Sequence, residues 1–199
     1  RTVFRKEVAL RALTAVAVMA ASRLSRSAVP VFAVIHRHFA RVFLKVRRGK
    51  MGAYRSVSQL GYLKYCHSCL NVERVGELLG TSERCGRCGS QASLLGPLWL
   101  GPLQDQEIVS KVLRSDLIGE ETFEEARKVL VHISQEPNDV PFSYPVSELS
   151  RRAKCSPVSP KLIVERLREM GYRASVAHYD HGAVKTNAPL DLLYELIRL

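Results

Sequence analysis

Hydrophobic and polar positions in the first fifty residues change from a helical to a strand pattern. Val3–Leu24 is rich in alanine, leucine and valine and is apolar around most of its middle, which predicts a helix buried on more than one side. Val29–His36 and Phe39–Arg47 are dominated by β-branched and aromatic residues, which predicts two strands. A basic, glycine-containing link, Arg47–Gly52, follows them. One helix followed by two adjacent strands is a way for a doubly wound sheet to end.

The second predicted strand separates basic from aliphatic side chains by alternation. Its aliphatic positions are Val42, Leu44 and Val46, and the alternate positions include Arg41, Lys45 and Arg47. Because successive strand residues point to opposite faces, the three basic groups share one face. This arrangement favours contact with phosphates.

The rest of the chain predicts short strands around the cysteines, followed mainly by helices. The predicted helices are Gln104–Leu117, about Thr122–His132, Val146–Ala153, Pro160–Met170 and about Pro189–Leu199. Thr122 and Glu125 have the spacing of a capping box. Ser159 is the expected N-cap of the helix that begins at Pro160.

The last third of the chain ends its helical pattern with a predicted hairpin. The hairpin consists of Tyr172–Tyr179 and Ala183–Thr186, with a turn at His181-Gly182, and Glu136–Pro145 is predicted to be a loop. Two helices and then a hairpin is the order of a winged helix. A small α+β subdomain without a groove-binding role has the same order, so both remain open.

Positive charge is concentrated at the N-terminal end of the 199-residue chain. Residues 1–55 contain thirteen lysines and arginines and one acid, Glu7, whereas residues 56–199 contain seventeen basic residues and eighteen acids. Such a one-sided field favours a polyanion, with nucleic acid the leading candidate. A solvated basic face, or charge offset by acids in a preceding segment, would give the same pattern. The first residue is Arg1 rather than Met, which predicts a piece of a longer polypeptide.

Four of the five cysteines form two Cys-x-x-Cys pairs separated by fifteen residues. They are Cys66, Cys69, Cys85 and Cys88. Two such turns placed face to face supply four thiolates in a tetrahedron, which suits a structural Zn²⁺ and leaves no open position for a substrate. Two disulfides or four unrelated thiols are the alternatives. Cys155 is predicted to be an ordinary thiol.

Familiar catalytic and membrane signals do not occur in the sequence. It has no glycine-rich nucleotide motif, nucleophile elbow or His-Glu-x-x-His motif, and none of its six histidines belongs to a recognisable triad. The apolar run Ala12–Ala21 has ten residues, whereas a membrane span needs about 20. The residues alone therefore predict no complete active site and no membrane partner.

Several motifs resemble the tRNA guanine-26 N2-dimethyltransferase family. The Gly-Pro-Leu-Trp-Leu-Gly-Pro-Leu run at 96–103 looks like the family's G-P-x-W-x-G-x-L signature. Residues 38–42 resemble the family's D-H-[YF]-x-R-V strand, with Arg37 in place of the usual Asp, and residues 178–189 resemble its H-[FY]-x-x-x-G-x-K-T-[DN]-A-P segment. Residues 105–113 also stand where the family has a helix. The resemblance runs from about Lys6 to Leu199.

This resemblance implies a fold and a function. Family members use S-adenosylmethionine (SAM) to methylate the exocyclic amine of G26 in tRNA, and they join a class I methyltransferase domain to a C-terminal domain of their own. The chain would be the C-terminal half, inactive alone, with the SAM-binding catalytic half in an upstream domain of the same polypeptide. The implied fold is α+β: residues 1–55 end a methyltransferase sheet, 56–103 form a zinc-ribbon-like segment, and 104–199 form a winged-helix-like tRNA-binding domain.

Two further residues are candidate RNA contacts. Trp99, between two glycines, is expected either to anchor the packing or to stack on RNA. Lys185 and Thr186 are expected either to hold a phosphate or, for Thr186, to cap the helix that begins near Pro189. The predicted RNA-binding set consists of Trp99 and Lys185 together with Arg41, Lys45 and Arg47.

Two other classes of function fit part of the sequence. A zinc-ribbon and winged-helix transcription factor without enzymatic activity explains the cysteines, the charge and the hairpin, but not the runs at 96–103 and 185–189. A protein-interaction module is the third hypothesis. The expected location is intracellular: cytoplasmic, or nuclear in a eukaryote.

Overall fold

The structure is a computed structural model, and it describes residues 2–76, 78, 80–115 and 123–198. Three antiparallel sheets alternate with helices, so the fold class is α+β, as predicted. The elements of the first half are α1 Arg5–Ser22, β1 Arg26–His36, β2 Phe39–Arg48, α2 Lys50–Val57, β3 Leu60–Cys66, β4 Val72–Val75 and β5 Ala92–Trp99. Those of the second half are α3 Gln106–Leu113, α4 Glu124–Gln135, β6 Tyr144–Pro145, α5 Val146–Ala153, α6 Pro160–Glu169, β7 Ala174–Ala177, β8 Asp180–Thr186 and α7 Leu190–Leu196.

Helix α1 is buried along one continuous stripe that contains both apolar and polar residues. The buried positions are Glu7, Leu10, Arg11, Thr14, Ala15 and Val18. A spacing of three and four residues places them on one face of the helix. This face packs against β1 and β5, whereas Leu13 and Val16 are exposed. The prediction that the helix is buried on more than one side is therefore wrong.

Strands β1 and β2 form an antiparallel hairpin with two different faces. One face packs on α1 through Ala28, Ala33 and Ile35. A bulge at Val31 interrupts the register between Pro30 and Phe32. The other face carries alternate residues of β2 and is largely exposed.

The two remaining sheets have three strands each. In one, β3 lies between β4 and β5; in the other, β8 lies between β6 and β7. The hydrophobic clusters join distant segments: one contains Phe4, Leu63 and Val184, and the other contains Leu10 and Ala177. Both clusters cross the limits at residues 55 and 103, and the division of the chain into three domains stays a prediction.

Local predictions were wrong at three places. The link after β2 continues into α2, because Ala53 and Ser56 are buried and the helix packs on β1 and α1. The segment predicted as a loop up to Pro145 ends in β6, which pairs with β8. The hairpin turns at 178–179 rather than at His181-Gly182, since β8 already begins at Asp180.

Ser159 and Thr122 are the two predicted helix caps. Ser159 precedes α6 at the N-cap but makes no side-chain capping bond. Thr122, the other predicted cap, lies outside the described residues. Among the helices of the described ranges, none is both long and apolar enough to cross a membrane.

Candidate functional sites

The four cysteines of the two Cys-x-x-Cys pairs come together at the end of β3. All four sulfur atoms lie within 4.8 Å of one another. The Sγ atoms of Cys66 and Cys88 are 3.5 Å apart, and those of Cys69 and Cys85 are 3.6 Å apart. A disulfide needs about 2.05 Å, whereas a tetrahedron with Zn–S bonds of about 2.3 Å separates its sulfurs by about 3.8 Å. The donor set therefore fits a zinc ion and does not fit disulfides.

Each pair lies on a turn that the backbone closes. Leu70 N–H donates to Cys66 O at 2.9 Å, and Gly89 N–H donates to Cys85 O at 3.0 Å. The backbone N–H of Arg87 also points at Cys85 Sγ, at 3.4 Å. A donor aimed at sulfur favours the thiolate, which is the form that binds metal.

The surroundings make the four thiols unequal. Burial raises the pKa of Cys69 to about 12. Hydrogen bonds with Ser90 lower the pKa of Cys88, which is exposed, to about 6. Metal ions bind the deprotonated sulfur, so an ion at this site would have to displace a proton from the buried Cys69.

The cysteine cluster is tied to two helices near the C-terminus. Arg152 on α5 donates to His67 O at 2.9 Å and to Ser68 O at 3.1 Å. Arg87 donates through Nε to Asp191 on α7 at 2.9 Å. A change at the cluster would therefore also disturb the packing of α5 and α7.

The predicted basic residues of β2 are exposed on one face of the hairpin. Arg41, Lys45 and Arg47 are all exposed, and even-numbered separations place them on the same side of the strand. In the described ranges of the chain, no carboxylate lies within 4.0 Å of their cationic groups. We call these three residues the basic face. They share an exposed face, as the alternation predicted.

A groove runs beside the basic face, between the hairpin and helices α3 and α4. Its volume is about 560 Å³, and its lining includes Phe32, Phe43, Ile108 and Val129. The lining is mainly apolar, with Arg41 at one side. We call this cavity the hairpin groove. The groove is not evident from the sequence, because its two walls are separated by more than sixty residues of chain.

Arg37, which stands in place of the family's usual aspartate, closes one end of the hairpin. It occupies the turn between β1 and β2 with a φ of 48°. Its guanidinium donates to both carboxylate oxygens of Glu125 on α4, at 2.8 and 3.1 Å. Arg37 therefore links the hairpin to α4 across the hairpin groove.

Trp99 is buried, which corrects its assignment as an RNA contact. Its side chain is in the core, with 2% of its surface exposed, and its indole N–H donates to Pro102 O at 2.8 Å. The flanking glycines leave room for close packing. A Cβ on Gly101 would lie 3.0 Å from Trp99 Cζ2, and one on Gly96 would lie 2.6 Å from Tyr62 Cδ1. The Trp motif is thus explained by packing.

Lys185 is also buried, so it does not lie on a surface that RNA can contact. Only 3% of the residue is exposed. Its Nζ lies 3.2 Å from both carboxylate oxygens of Glu7 and 3.3 Å from Glu136 Oε2. Thr186 is buried too, and its hydroxyl accepts from the N–H of Ala188 at 3.0 Å just before α7. Thr186 therefore supports the turn that leads into this helix.

Lys185 belongs to a buried network that sequence analysis did not find. Arg11 Nε donates to Glu7 at 2.7 Å, and its Nη1 donates to the carbonyls of Trp99 and Gly101 at 2.7 and 3.0 Å. We call Glu7, Arg11, Glu136, His178 and Lys185 the buried ion network. The signal in the sequence was a Glu–Arg pair four residues apart on an otherwise apolar helix.

Hydrogen bonds indicate how the charges of the buried ion network balance. His178 Nδ1 lies 2.7 Å from Glu136 Oε1, and the N–H of Ile35 points at His178 Nε2 from 3.4 Å. The imidazole can donate through Nδ1 and accept through Nε2. The carboxylates of Glu7 and Glu136 face the cations of Arg11 and Lys185. Such pairing is what makes buried charges tolerable.

The pKa values of the two carboxyl groups agree with this balance. Burial would raise the pKa of Glu7, but the charges of Lys185 and Arg11 outweigh it and lower the pKa to about 2. Burial of Glu136 is likewise opposed by Lys185 and by the hydrogen bond with His178, so that its pKa also falls. Both groups are ionised in the folded protein near neutral pH.

Comparison with known proteins identifies the family. The family model for N2,N2-dimethylguanosine tRNA methyltransferase matches residues 1–198. The chain belongs to this family. The tRNA (guanine(26)-N(2))-dimethyltransferase of Methanoculleus marisnigri is 32% identical over 98% of this chain and 53% of its own length. That of Archaeoglobus fulgidus is 31% identical over 96% of the chain and 52% of its own length.

A solved structure of the family supports the same assignment. Trm1 from Pyrococcus horikoshii, determined in complex with SAM, matches with a TM-score of 0.80 and 29% identity over 94% of this chain and 48% of its own. The chain thus spans about half the length of the relatives that it matches. These comparisons confirm the resemblance that the motifs indicated, and the relatives named here are all methyltransferases rather than transcription factors.

One prediction from the resemblance is wrong. We expected a C-terminal part that lacks the SAM-binding catalytic half, with an upstream domain as its partner. The alignment of nearly the whole chain with family methyltransferases and with a SAM-bound structure instead indicates the methyltransferase region. The expectation came from the family resemblance, in which the glycine-rich cofactor motif belongs upstream and is missing from this sequence. A short motif is a weak criterion, because residues distant in sequence can also form a cofactor site.

Proposed function

We propose that this chain is part of a SAM-dependent tRNA methyltransferase that modifies the exocyclic amine of guanine 26. The observation that carries the proposal is the family match over residues 1–198. The relatives named above are tRNA (guanine(26)-N(2))-dimethyltransferases, and the solved relative was determined with SAM. SAM supplies the methyl group in this proposal. The carboxylates of Glu7, Glu136 and Glu125 are engaged in ion pairs, so none of these three is assigned to the cofactor.

The basic face is the proposed contact surface for tRNA. Its three cations are exposed and have no acidic partner among the described residues, which leaves them free for phosphates. Residues 1–55 carry the net positive charge of the chain, which attracts a polyanion over longer distances. Trp99 and Lys185 are not part of this proposal, because both are buried.

We further propose that the four clustered cysteines hold one structural Zn²⁺. The sulfur separations and the donors near the cluster support this assignment. Four thiolates fill a tetrahedral site, so the ion would hold the turns together and would not act on a substrate. The cluster connects β3 to α5 and α7, and zinc would therefore stabilise the packing of the C-terminal helices.

A winged-helix-like unit is the proposed architecture after α4. The supporting observations are the order β6, α5, α6, β7, β8 and the strand order β6-β8-β7. This order places two helices between the first and second strands of a small antiparallel sheet, as winged helices do. Its contribution to tRNA binding would come from exposed basic groups such as Lys161 and Arg168.

The test is methyl transfer by the natural polypeptide in which this chain occurs. Its substrates are an unmodified tRNA transcript with guanine at position 26 and the same transcript with adenine there. With methyl-labelled SAM, label should enter only the first. Equal incorporation into both transcripts would disprove the proposed target, and incorporation into neither would disprove the activity.

A further inference from the structure

The hairpin groove has the size and the lining of a ligand site. Its volume of about 560 Å³ lies within the range of small-molecule pockets. Two aromatic residues at the groove are about half exposed, Phe39 at 47% and Phe43 at 48%. Exposed aromatic side chains grouped around one cavity are a signal of binding rather than of packing.

The aromatic rings present faces on which a planar group can stack. The centroids of Phe32 and Phe43 are 6.1 Å apart, with their planes tilted by 51°. The guanidinium of Arg41 lies 5.4 Å from the centroid of Phe39. Proteins that bind unpaired bases without sequence preference stack them on aromatic side chains such as phenylalanine, often with an arginine beside the ring.

The charge around the groove selects among possible occupants. Arg41 lines the groove, and Lys45 follows on the same face of β2. Glu125 also lines it, but this carboxylate is paired with Arg37 at 2.8 Å and lies 3.3 Å from His36. The rim is therefore cationic, which suits a ligand that carries an aromatic ring and a negative charge.

We propose that the hairpin groove binds an unpaired nucleobase of the tRNA, stacked on Phe43, while Arg41 and Lys45 hold the adjoining phosphates. This inference rests on the proposed function, and it adds a base-binding subsite to the phosphate contacts of the basic face. The adenine of SAM offers the same ring. SAM, however, carries a sulfonium and an ammonium group against one carboxylate, and a cationic rim disfavours it. A protein segment is also disfavoured, because it would bury the apolar lining but would leave the cations of Arg41 and Lys45 without a negative partner.

The first experiment compares Phe43→Leu with Tyr54→Leu in binding to a fluorescent tRNA transcript. Leucine keeps an apolar side chain at position 43 but removes the ring face. Tyr54 on α2 is also exposed and lies outside the groove lining, so it is the matched control. Stacking of one base contributes about 1–3 kcal/mol, which corresponds to a loss of affinity between about fivefold and a hundredfold for Phe43→Leu. Tyr54→Leu should leave the affinity unchanged.

The salt dependence separates the two parts of the contact. Phe43→Leu should leave the slope of log affinity against log salt unchanged, because no phosphate contact is lost. Lys45→Gln should reduce this slope by about one. If Phe43→Leu binds tRNA like the parent while Lys45→Gln lowers the slope, the base-binding inference fails and the proposed tRNA contact stands. If neither variant changes binding, both fail.

A photocrosslink identifies the occupant directly. A benzoylphenylalanine in place of Phe43, irradiated with tRNA and SAM together in the natural polypeptide, should attach to RNA. Attachment to SAM or to a peptide of the same protein would overturn the inference, because it would show a different occupant of the groove. Equal melting temperatures of the parent and of the substituted proteins check that each variant is folded.

Discussion

Two groups of cations in this chain, the basic face and the buried ion network, have opposite surroundings. Arg41 and Lys45 lie on an exposed strand and have no acidic partner among the described residues. Arg11 and Lys185 are almost completely buried and are held by carboxylates and by carbonyl groups. The first group is available to an external anion, whereas the charge of the second is already neutralised. A lysine in a family motif can therefore serve the fold rather than the substrate.

The largest loss of stability is expected at the cysteine cluster. Its thiolates need a cation to balance their charge, just as the buried carboxylate of Glu7 needs Lys185. Cys85→Ser should lose zinc and make the segment around β3–β5 sensitive to protease, since structural zinc contributes about 10–16 kcal/mol of apparent binding free energy. Metal analysis and limited proteolysis under reducing conditions measure this. Cys155→Ser is the control, because Cys155 lies outside the cluster. A parent protein with well under one zinc per chain would contradict the assignment.

The next largest effect is expected in the buried ion network. Lys185→Met leaves Glu7 and Glu136 without one of their cations, and loss of one partner of a buried pair costs about 3–5 kcal/mol of the free energy of unfolding. Lys45→Met, at an exposed and unpaired lysine, should change it by less than about 0.5 kcal/mol. Urea denaturation compares the two variants. Similar losses in both would show that burial does not distinguish the two groups of cations.

A double variant sharpens this result. Glu7→Gln added to Lys185→Met removes one uncompensated carboxylate, so it should recover part of the lost stability. If the two losses simply add, the two residues do not interact, and the ion pair between them does not contribute as described.

A smaller effect is expected from pH. The pKa of Glu7 is about 2 in the folded protein, against an ordinary value of 4.5. Its ionised form therefore stabilises the fold above about pH 4.5, and this contribution is lost as pH falls towards 2. The loss for Glu7 is at most about 3 kcal/mol, at about 1.4 kcal/mol per pKa unit. Urea denaturation from pH 6 to pH 3 should show a steeper decline for the parent than for Glu7→Gln; equal slopes would contradict the assignment.

The smallest effect on stability is expected at the basic face, although its effect on binding is large. Neutralising Arg41, Lys45 and Arg47 to Gln should leave the melting temperature nearly unchanged and should reduce the salt slope of tRNA binding by about three. The control neutralises Lys111, Lys128 and Arg151, exposed cations that are paired with carboxylates. The same loss in both triple variants would indicate a general effect of net charge instead of a tRNA contact at this face.

Local patterns predicted most of the elements correctly. Helix α1, the hairpin of β1 and β2, and helices α5 and α6 lie within a few residues of their predicted bounds. Their signals are periodicity, proline and glycine, which act over a few residues. Helix α2 was missed because Gly49 and Gly52 are typical of a loop, and because its buried residues are covered by β1, which the local pattern does not show. Strand β6 was missed because a strand of two residues is too short to show an alternation of apolar and polar positions.

The sequence alone determined the cysteine pairs, the one-sided charge and the motifs that placed the chain in its family. All three depend on residue type and spacing, which need no coordinates. Only the tertiary structure decided that Lys185 is buried and that Arg41 is not. Lys185 meets Glu7 across 178 positions of chain, and Trp99 is covered by segments that are also distant from it in sequence, around Leu10 and Ala177. Burial depends on such distant contacts, so one basic residue became part of a structural ion pair and another became a candidate RNA contact.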